Sequence, residues 1–330
     1  MSALMLSAVL MVFTPVICSA QTLSAEVHPG LLFTAEQVPQ LKERIQREPY
    51  ATWWHTVLTR ARDTPATFTE ERSKVRSAKA LAFAWLMTDD RAFADRALQV
   101  MQEVAFPPRG GYLGEPHNEG EVVAQYAVAY DMLHAYAAAN DPAALAEMRA
   151  ILAEEAGRLW EGIILSELDL GLIKIVLRLH ETPHIDNWHI RAYGGLGLAA
   201  MALSEHTGIP GQGVPQDWAD RAFEMVKGSL DFQIEELDGG YAEGPFYSRY
   251  AADVYLPYMF ALKNRTGLDM FVDPKIEKMH DWSLNLRLPN GRRPNIDDGH
   301  LDDFYGHYLA GVYSDGGIHR WDWENNANGL

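Results

Sequence analysis

The chain has 330 residues, 48% of them hydrophobic, which is enough to bury a large core in one domain or two ordinary ones. Its 28 basic and 45 acidic residues give a formal net charge of −17. Non-specific nucleic-acid binding needs a basic face, so nucleic acid is not an expected partner.

The first 21 residues, MSALMLSAVLMVFTPVICSAQ, contain an apolar run of signal-peptide length that is short for a membrane span. Small residues precede Gln21, although no Lys or Arg occurs before Lys42. A buried or membrane-anchoring helix is the alternative. We predict a signal peptide over 1–20 and a periplasmic or secreted mature protein without a stable membrane span. Because Cys18 is the only cysteine, the mature chain would carry no disulfide.

Amphipathic patterns and start signals predict helices through most of the chain. Thr34 with Gln37 fits a capping box, and Asp141-Pro142 and Asp273-Pro274 are typical of helix starts. The predicted helices cover about 69–87, 91–104, 118–138, 143–160, 188–205, 216–236, 247–266 and a last one ending near 288.

Strand signals are nearly absent, so the predicted fold class is all-α, built from helix hairpins. Such hairpins could form a bundle, a solenoid or an α/α toroid, and the lack of a fixed sequence period disfavours the solenoid. The tail after about residue 307 is rich in Gly, Asn, Asp and aromatic residues and is interpreted as loop or short strand.

One polar segment, HIDNWHIRAYGG, lies at 184–195. Asn187 and His189 there precede an apolar run, so they would sit at a helix N-terminus, which favours negative charge and can hold a carboxylate. The alternative is that Asp186 or Asn187 simply caps the helix, with His189 half-buried.

A second polar segment, DGGYAEGPFYSRYAADVYLPY, lies at 238–258 and carries five tyrosines. A stripe of tyrosines at helical spacing is ordinarily a core feature. However, Glu243 and Arg249 stand among these rings, and a purely structural stripe would not need them. A turn opened by two glycines followed by a polar, aromatic helix start is therefore a candidate site.

The remaining polar segments are less specific. Asn118 lies at a helix start, and His300 lies in a loop after the last long helix. The chain has no HExxH, EF-hand, P-loop, dinucleotide or GxSxG motif. A His/Asp metal site around Asp298 and His300 is an alternative, but we expect neither a metal nor a cofactor.

Five segments in order resemble the heparinase II/III-like polysaccharide lyases and their alginate-lyase relatives. They are HPGLLFTAEQVPQLKERI, NEGEVVAQYAVAYDMLH, DNWHIRAYGGLGLAAMAL, DGGYAEGPFYSRY and LPNGRRPNIDDGH. The resemblance covers about His28 to His300 and implies an incomplete (α/α) toroid over 21–305, followed by a β-sandwich domain. Residues 306–330 would be a linker or the start of that β-domain in a C-terminally truncated chain.

The resemblance also implies a reaction and its residues. These lyases cleave uronate-containing acidic polysaccharides by β-elimination, which removes a weakly acidic proton next to the uronate carboxylate. Asn187 and His189 match the family's charge-neutralising pair, and Tyr247 matches its catalytic tyrosine, with Tyr250 second and Tyr241 third. The expected substrate-binding residues are Asn118, His184, Trp188, Arg191, Tyr241, Glu243, Arg249 and His300.

An acidic substrate requires a locally basic cleft despite the net charge. We expect this role for the basic residues near the motifs, which are Lys174, Arg178, Arg191, Arg249, Arg292 and Arg293. Two other functions stay open. One is an α/α-barrel glycoside hydrolase that pairs Glu243 with Asp186 or Asp298. The other is a non-catalytic glycan-binding protein, given nine Trp and fourteen Tyr.

Overall fold

The computed structural model describes residues 22–48, 50–106, 116–177, 186–208, 210–296, 299–300 and 317–325. Within these ranges every extended regular element is helical, and Ile234 and Tyr241 form an isolated β-bridge, which confirms the all-α prediction there. The helices are α1 Val38–Arg44, α2 Tyr50–Arg62, α3 Glu71–Thr88, α4 Arg91–Gln102, α5 Pro116–Asn140, α6 Pro142–Leu177, α7 Asn187–Ala202, α8 Pro215–Gln233, α9 Gly244–Thr266, α10 Pro274–Asn285 and α11 Gly317–Glu324.

The predicted signal peptide at 1–20 and the predicted binding residue His184 lie outside the described residues. None of the described helices combines the length and the hydropathy that a membrane span requires.

The predicted start signals are confirmed by their hydrogen bonds. Asp141 Oδ1 accepts the backbone N–H of Ala144 at 3.0 Å, and Asp273 Oδ1 accepts that of Lys275 at 2.9 Å. Each aspartate therefore satisfies a donor of the first helical turn that has no partner within the helix.

Three features differ from the prediction. Helix α2 was not predicted, α6 continues to Leu177, and the tail contains helix α11 where loop or short strand was expected. Helix α11 is stabilised by contacts with residues that are distant in sequence. Asp322 on that helix accepts hydrogen bonds from Arg287 Nε at 2.8 Å and from an Arg293 terminal nitrogen at 2.6 Å, contacts that local composition does not encode.

Helices α7 and α9 run side by side in the same direction. Asn187 at the start of α7 contacts Glu243, which directly precedes α9, whereas Gly197 near the end of α7 abuts the ring of Tyr258. Residues thus pair in the same order along both helices. Helices α3 and α5 are matched likewise, with Arg72 on Asn118 near their starts and Trp85 on Tyr136 near their ends.

Helix α5 joins these two pairs, because its Glu121 binds Arg191 of α7. Helices α3, α5, α7 and α9 therefore form a row of parallel neighbours whose N-termini share one end of the molecule. Helices α4, α6 and α8 pack on α3, α5 and α7 respectively, each as the return arm of a hairpin.

Two glycines allow α5 and α7 to touch along their backbones. A Cβ atom on Gly195 would lie 2.1 Å from the carbonyl oxygen of Gly120, and one on Gly120 would lie 2.6 Å from the Cα of Ala192. The apolar run that follows in α7 is fully buried. The prediction of an apolar helix opened by glycines is confirmed, and the glycines act in packing.

The N-terminal segment 22–33 lies at the other end of the helix row. Arg265, at the end of α9, donates to the carbonyls of Ser24 and Ala25, and the Asp131 carboxylate on α5 accepts the backbone N–H groups of Gly30 and Leu31 at 3.0 Å. This segment straps the C-terminal halves of the parallel helices together and leaves their N-terminal end to polar side chains.

Gly195→Ala should lower the melting temperature, because its new methyl group meets backbone atoms that cannot move aside. Overpacking of this kind costs about 1–3 kcal/mol. Gly228→Ala on α8 is the matched control, since no atom lies within 4 Å of its added Cβ, and Ala is favoured over Gly in helices by up to about 1 kcal/mol. Thermal unfolding of both variants checks this, and equal melting temperatures would contradict the close contact.

Candidate functional site

Glu243 joins the two polar segments at the N-terminal end of the helix row. Its carboxylate accepts the backbone N–H of Asn187 at 2.9 Å and the side-chain Nδ2–H of Asn187 at 2.8 Å. The hydroxyl of Tyr241 donates to the same carboxylate at 3.4 Å. Asn187 and Tyr241 are each only 3% exposed. This arrangement fixes the starts of α7 and α9 against each other.

Burial raises the pKa of Glu243 above its ordinary value, and the nearby carboxylate of Asp186 acts in the same direction. Hydrogen bonds from Asn187 and Tyr241 oppose this rise without cancelling it. Glu243 therefore holds a proton more readily than an exposed glutamate does.

Asp186 is the N-cap of α7 and also the partner of His189. Its Oδ1 accepts the backbone N–H of His189 at 3.0 Å and lies 2.5 Å from the Nδ1 of the same residue. The capping interpretation is confirmed for Asp186, and His189 is half-buried as that interpretation expected. The Asp186 carboxylate on Nδ1 orients the imidazole and leaves Nε2 as its other polar atom.

Arg191 differs from its prediction as a substrate-binding and cleft-lining cation. Its side chain is fully buried and donates to the Glu121 carboxylate and to the backbone carbonyl of Tyr250. Its guanidinium also stacks on the Tyr250 ring, 3.7 Å from the centroid. Burial lowers the pKa of Arg191 from its usual range. Arg191 therefore positions Tyr250 from beneath, because its charge is already neutralised inside the protein.

The first turns of α9 carry a cluster of aromatic rings. Tyr247 meets Phe246 edge-on with centroids 5.1 Å apart and lies 6.5 Å from the ring of Tyr250. His300 contacts the other side of Phe246 at 4.8 Å. Tyr247 and Tyr250 are both only partly buried. Further along α9, Tyr255 and Tyr258 are fully buried, so on this helix the core-stripe interpretation holds for those two.

Trp188 presents an aromatic surface beside this cluster. Its ring stacks on buried His117 with centroids 4.4 Å apart, and 42% of the residue remains exposed. His117 comes from the start of α5, so the stack also bridges α5 and α7. A flat exposed ring held from behind is suited to the apolar face of a sugar.

A basic recess, defined here as Arg72, Arg76, Lys79, Arg249 and the carboxylates of Glu121 and Asp253, adjoins Arg191. Glu121 Oε1 accepts from Arg76 at 2.5 Å, and Arg249 faces Asp253 at 3.7 Å.

The cations of α3 were missed by the sequence analysis. Positions 72, 76 and 79 have the spacing of one helix face, and that regularity was the available signal. Arg72 also donates to Asn118, so this predicted binding residue is held by α3.

The basic residues that the sequence predicted for the cleft do not all lie at this end of the molecule. Arg293 is 1% exposed and pairs with Asp322 beneath α11, so it does not line this end. Arg178, Asp298 and the side chain of Lys174 lie outside the described residues. Arg249, which was predicted to line a basic cleft, does lie in the basic recess, and its side chain is partly exposed.

One group among the described residues has ligand atoms close enough for a metal, namely Glu26, His28 and His134, within 4.8 Å of one another. Arg149 takes both oxygens of Glu26 at 2.7 Å, and the two imidazole rings stack at 4.0 Å. Stacked rings direct their lone pairs alongside each other, so the group fits a hydrogen-bonded strap better than converging metal ligands.

No protein-family model matches this chain, and a search of curated proteins gives no significant match. The functional assignment therefore rests on the residues and their geometry.

Glu121→Gln should destabilise the protein by about 3–5 kcal/mol, because it leaves the buried Arg191 charge uncompensated. Glu224→Gln is the matched control: Glu224 is 61% exposed and pairs with Arg221 at the surface, where such pairs contribute about 0–1 kcal/mol. Urea unfolding of both variants measures the difference. Equal losses would show that the buried pair does not join α5 to α7.

Proposed function

We propose that this protein is a polysaccharide lyase that cleaves a uronate-containing acidic polysaccharide by β-elimination. The observation that carries the proposal is the joint made by Glu243, which brings the Asn187–His189 end of α7 against the Tyr247–Tyr250 end of α9. These are the residue types that elimination next to a carboxylate needs.

The arrangement of helices supports the (α/α) toroid implied by the sequence resemblance. Parallel α3, α5, α7 and α9, each of the first three backed by its return helix, are what the inner and outer layers of an incomplete toroid require. In that architecture the aligned N-termini of the inner helices form one rim. The positive ends of their dipoles favour an anionic ligand there.

Elimination proceeds at adjacent sugar carbons. A base takes the C5 proton, the electron pair becomes an enolate on the uronate carboxylate, and the C4–O4 bond then breaks as a C4=C5 double bond forms. An acid gives the leaving O4 its proton. In the proposal, Asn187 and His189 face the carboxylate where negative charge grows, which lowers the barrier by a few kcal/mol per donor.

Tyr247 is the proposed acid and base, with Tyr250 next. Both rings lie on the first turns of α9, and Glu243 ties that end of α9 to Asn187. Tyr241 is the weakest of the three candidates, because its single O–H is donated to Glu243, whereas the amide of Asn187 keeps a second N–H.

The local charge supports a polyanionic substrate in spite of the net charge of −17. Around Arg191, the cations of the basic recess outnumber the carboxylates of Glu121 and Asp253. Arg72 and Arg76 are 37% and 54% exposed, so they can reach a ligand. We further propose a periplasmic or secreted location, where polymeric glycans are met, on the basis of the apolar N-terminal segment.

A glycoside hydrolase is the second candidate, and the raised pKa of Glu243 beside Asp186 favours it, since inverting and retaining hydrolases use two carboxyl groups of unequal pKa. Hydrolysis adds water across the bond, so its products would lack the double bond.

Tyr247→Phe should reduce the release of ultraviolet-absorbing unsaturated uronate ends by about 100-fold or more, the usual size of an acid–base contribution. Tyr50→Phe on α2 is the control and should keep full activity. The assay uses purified protein with a panel of uronate polymers. Retained activity in Tyr247→Phe would remove Tyr247 from the mechanism.

Trp188→Ala should weaken oligosaccharide binding about 2–10-fold, the range of an aromatic contact beyond its buried area. Trp321→Ala on α11, which is 51% exposed, removes a comparable ring that stacks on Arg287 instead. Measuring KM and kcat separately distinguishes substrate binding from catalysis. A rise in KM with little change in kcat is expected for Trp188→Ala and not for Trp321→Ala. Equal effects of the two variants would contradict the stacking surface.

A further inference from the structure

Lys79 belongs to the basic recess, but the mechanism above gives it no individual role. It follows Arg76 by three residues on α3 and so lies on the same helix face. Protein atoms surround its side chain closely, yet part of its surface is open to solvent. Lys79 is therefore a crowded side chain that solvent still reaches.

Lys79 also lacks a counter-ion among the residues that the structure describes. Glu121 and Asp253 act on it only at longer range than an ion pair. Glu121 is held instead by Arg191 and Arg76, and Asp253 faces Arg249. A buried cation without a partner is unfavourable, which is why such groups are normally paired.

We propose that Lys79, with Arg76 and Arg249, forms a subsite for a second acidic group of the polysaccharide, either a carboxylate or a sulfate ester. This inference rests on the proposed function, because it concerns the same substrate. The group bound here is distinct from the carboxylate next to the bond that breaks. An anion in the recess would supply the counter-ion that the described residues do not provide, so the subsite would favour polymers with repeated acidic groups over neutral ones.

The titration of Lys79 gives the subsite a signature. Burial and the charge of Arg76 lower its pKa to about 8, while Asp253 and Glu121 oppose that shift from α9 and α5. A bound anion favours the charged ammonium and raises the pKa. Binding near pH 8 should therefore take up protons, and binding near pH 6 should not.

The test measures binding without turnover by calorimetry, in two buffers that differ in ionisation enthalpy. The probes are trigalacturonate, which carries only carboxylates, a dextran sulfate oligomer, which carries only sulfate esters, and neutral maltotriose. We expect at least one anionic probe to bind with proton uptake at pH 8, and maltotriose not to bind in this way.

Lys79→Met should lower the affinity for the anionic probe at least about tenfold, because truncating one partner of a desolvated charge pair is costly. It should also abolish the proton uptake at pH 8. Lys79→Arg should retain most of the affinity. Lys263→Met removes the same charge from an exposed site on α9, where screening keeps its effect to about twofold. Equal affinities of Lys79→Met and the wild type, or no binding of either anionic probe, would overturn the subsite.

A second readout guards against misfolding of Lys79→Met. In wild-type protein with isotopically methylated lysines, the Lys79 resonance should shift when the anionic probe is added, and an unmoved resonance would contradict the proposal. Anion binding through Lys79 without any unsaturated product would refute the lyase and leave the subsite standing. If Lys79→Met still forms unsaturated products with an unchanged KM, the subsite would be refuted and the lyase would stand.

Discussion

The buried guanidinium of Arg191 is the interaction on which the site end of the molecule depends. It belongs to α7, binds Glu121 on α5, and supports both the ring and the backbone carbonyl of Tyr250 on α9. Through Glu121 the same network reaches Arg76 on α3. A buried charge needs a partner that neutralises it, so this network admits few alternative arrangements of its helices.

The close backbone contact between α5 and α7 holds the two partners of the Arg191–Glu121 pair together. Gly120 and Gly195 bring the two helices together, and the N-terminal strap anchors the opposite end through Asp131 and Arg265. The candidate site is therefore carried on rigid helix starts rather than on long loops. Preorganised donors of this kind are the most effective at stabilising charge that develops during a reaction.

The helix starts and the polar segments could be predicted from the sequence, because their signals are local. The Asp-Pro starts at 141 and 273 act as expected, because capping depends on neighbouring residues alone. The polar segments around Asn187 and Glu243 were singled out by composition. Their direct contact could not be predicted, because it depends on the packing of α7 against α9.

The misses have the same physical origin. The sequence predicts Arg191 and Arg293 as cations that line the cleft, yet each is buried against a carboxylate far away in sequence. Helix α11 forms in a glycine-rich tail because Asp322 pairs with Arg287 and Arg293. The α3 face at positions 72, 76 and 79 was visible as a helical spacing, but its importance depends on the neighbours that the fold supplies.

The central claim is that the helix starts joined by Glu243 cleave an acidic glycan by elimination. Digestion of a polyuronate in water enriched in heavy oxygen, followed by mass spectrometry of the products, tests it most directly. Elimination predicts new non-reducing ends that are lighter by one water than those from hydrolysis. It also predicts new reducing ends that carry no heavy oxygen. Incorporation of the heavy isotope at the cleaved bond would contradict the account.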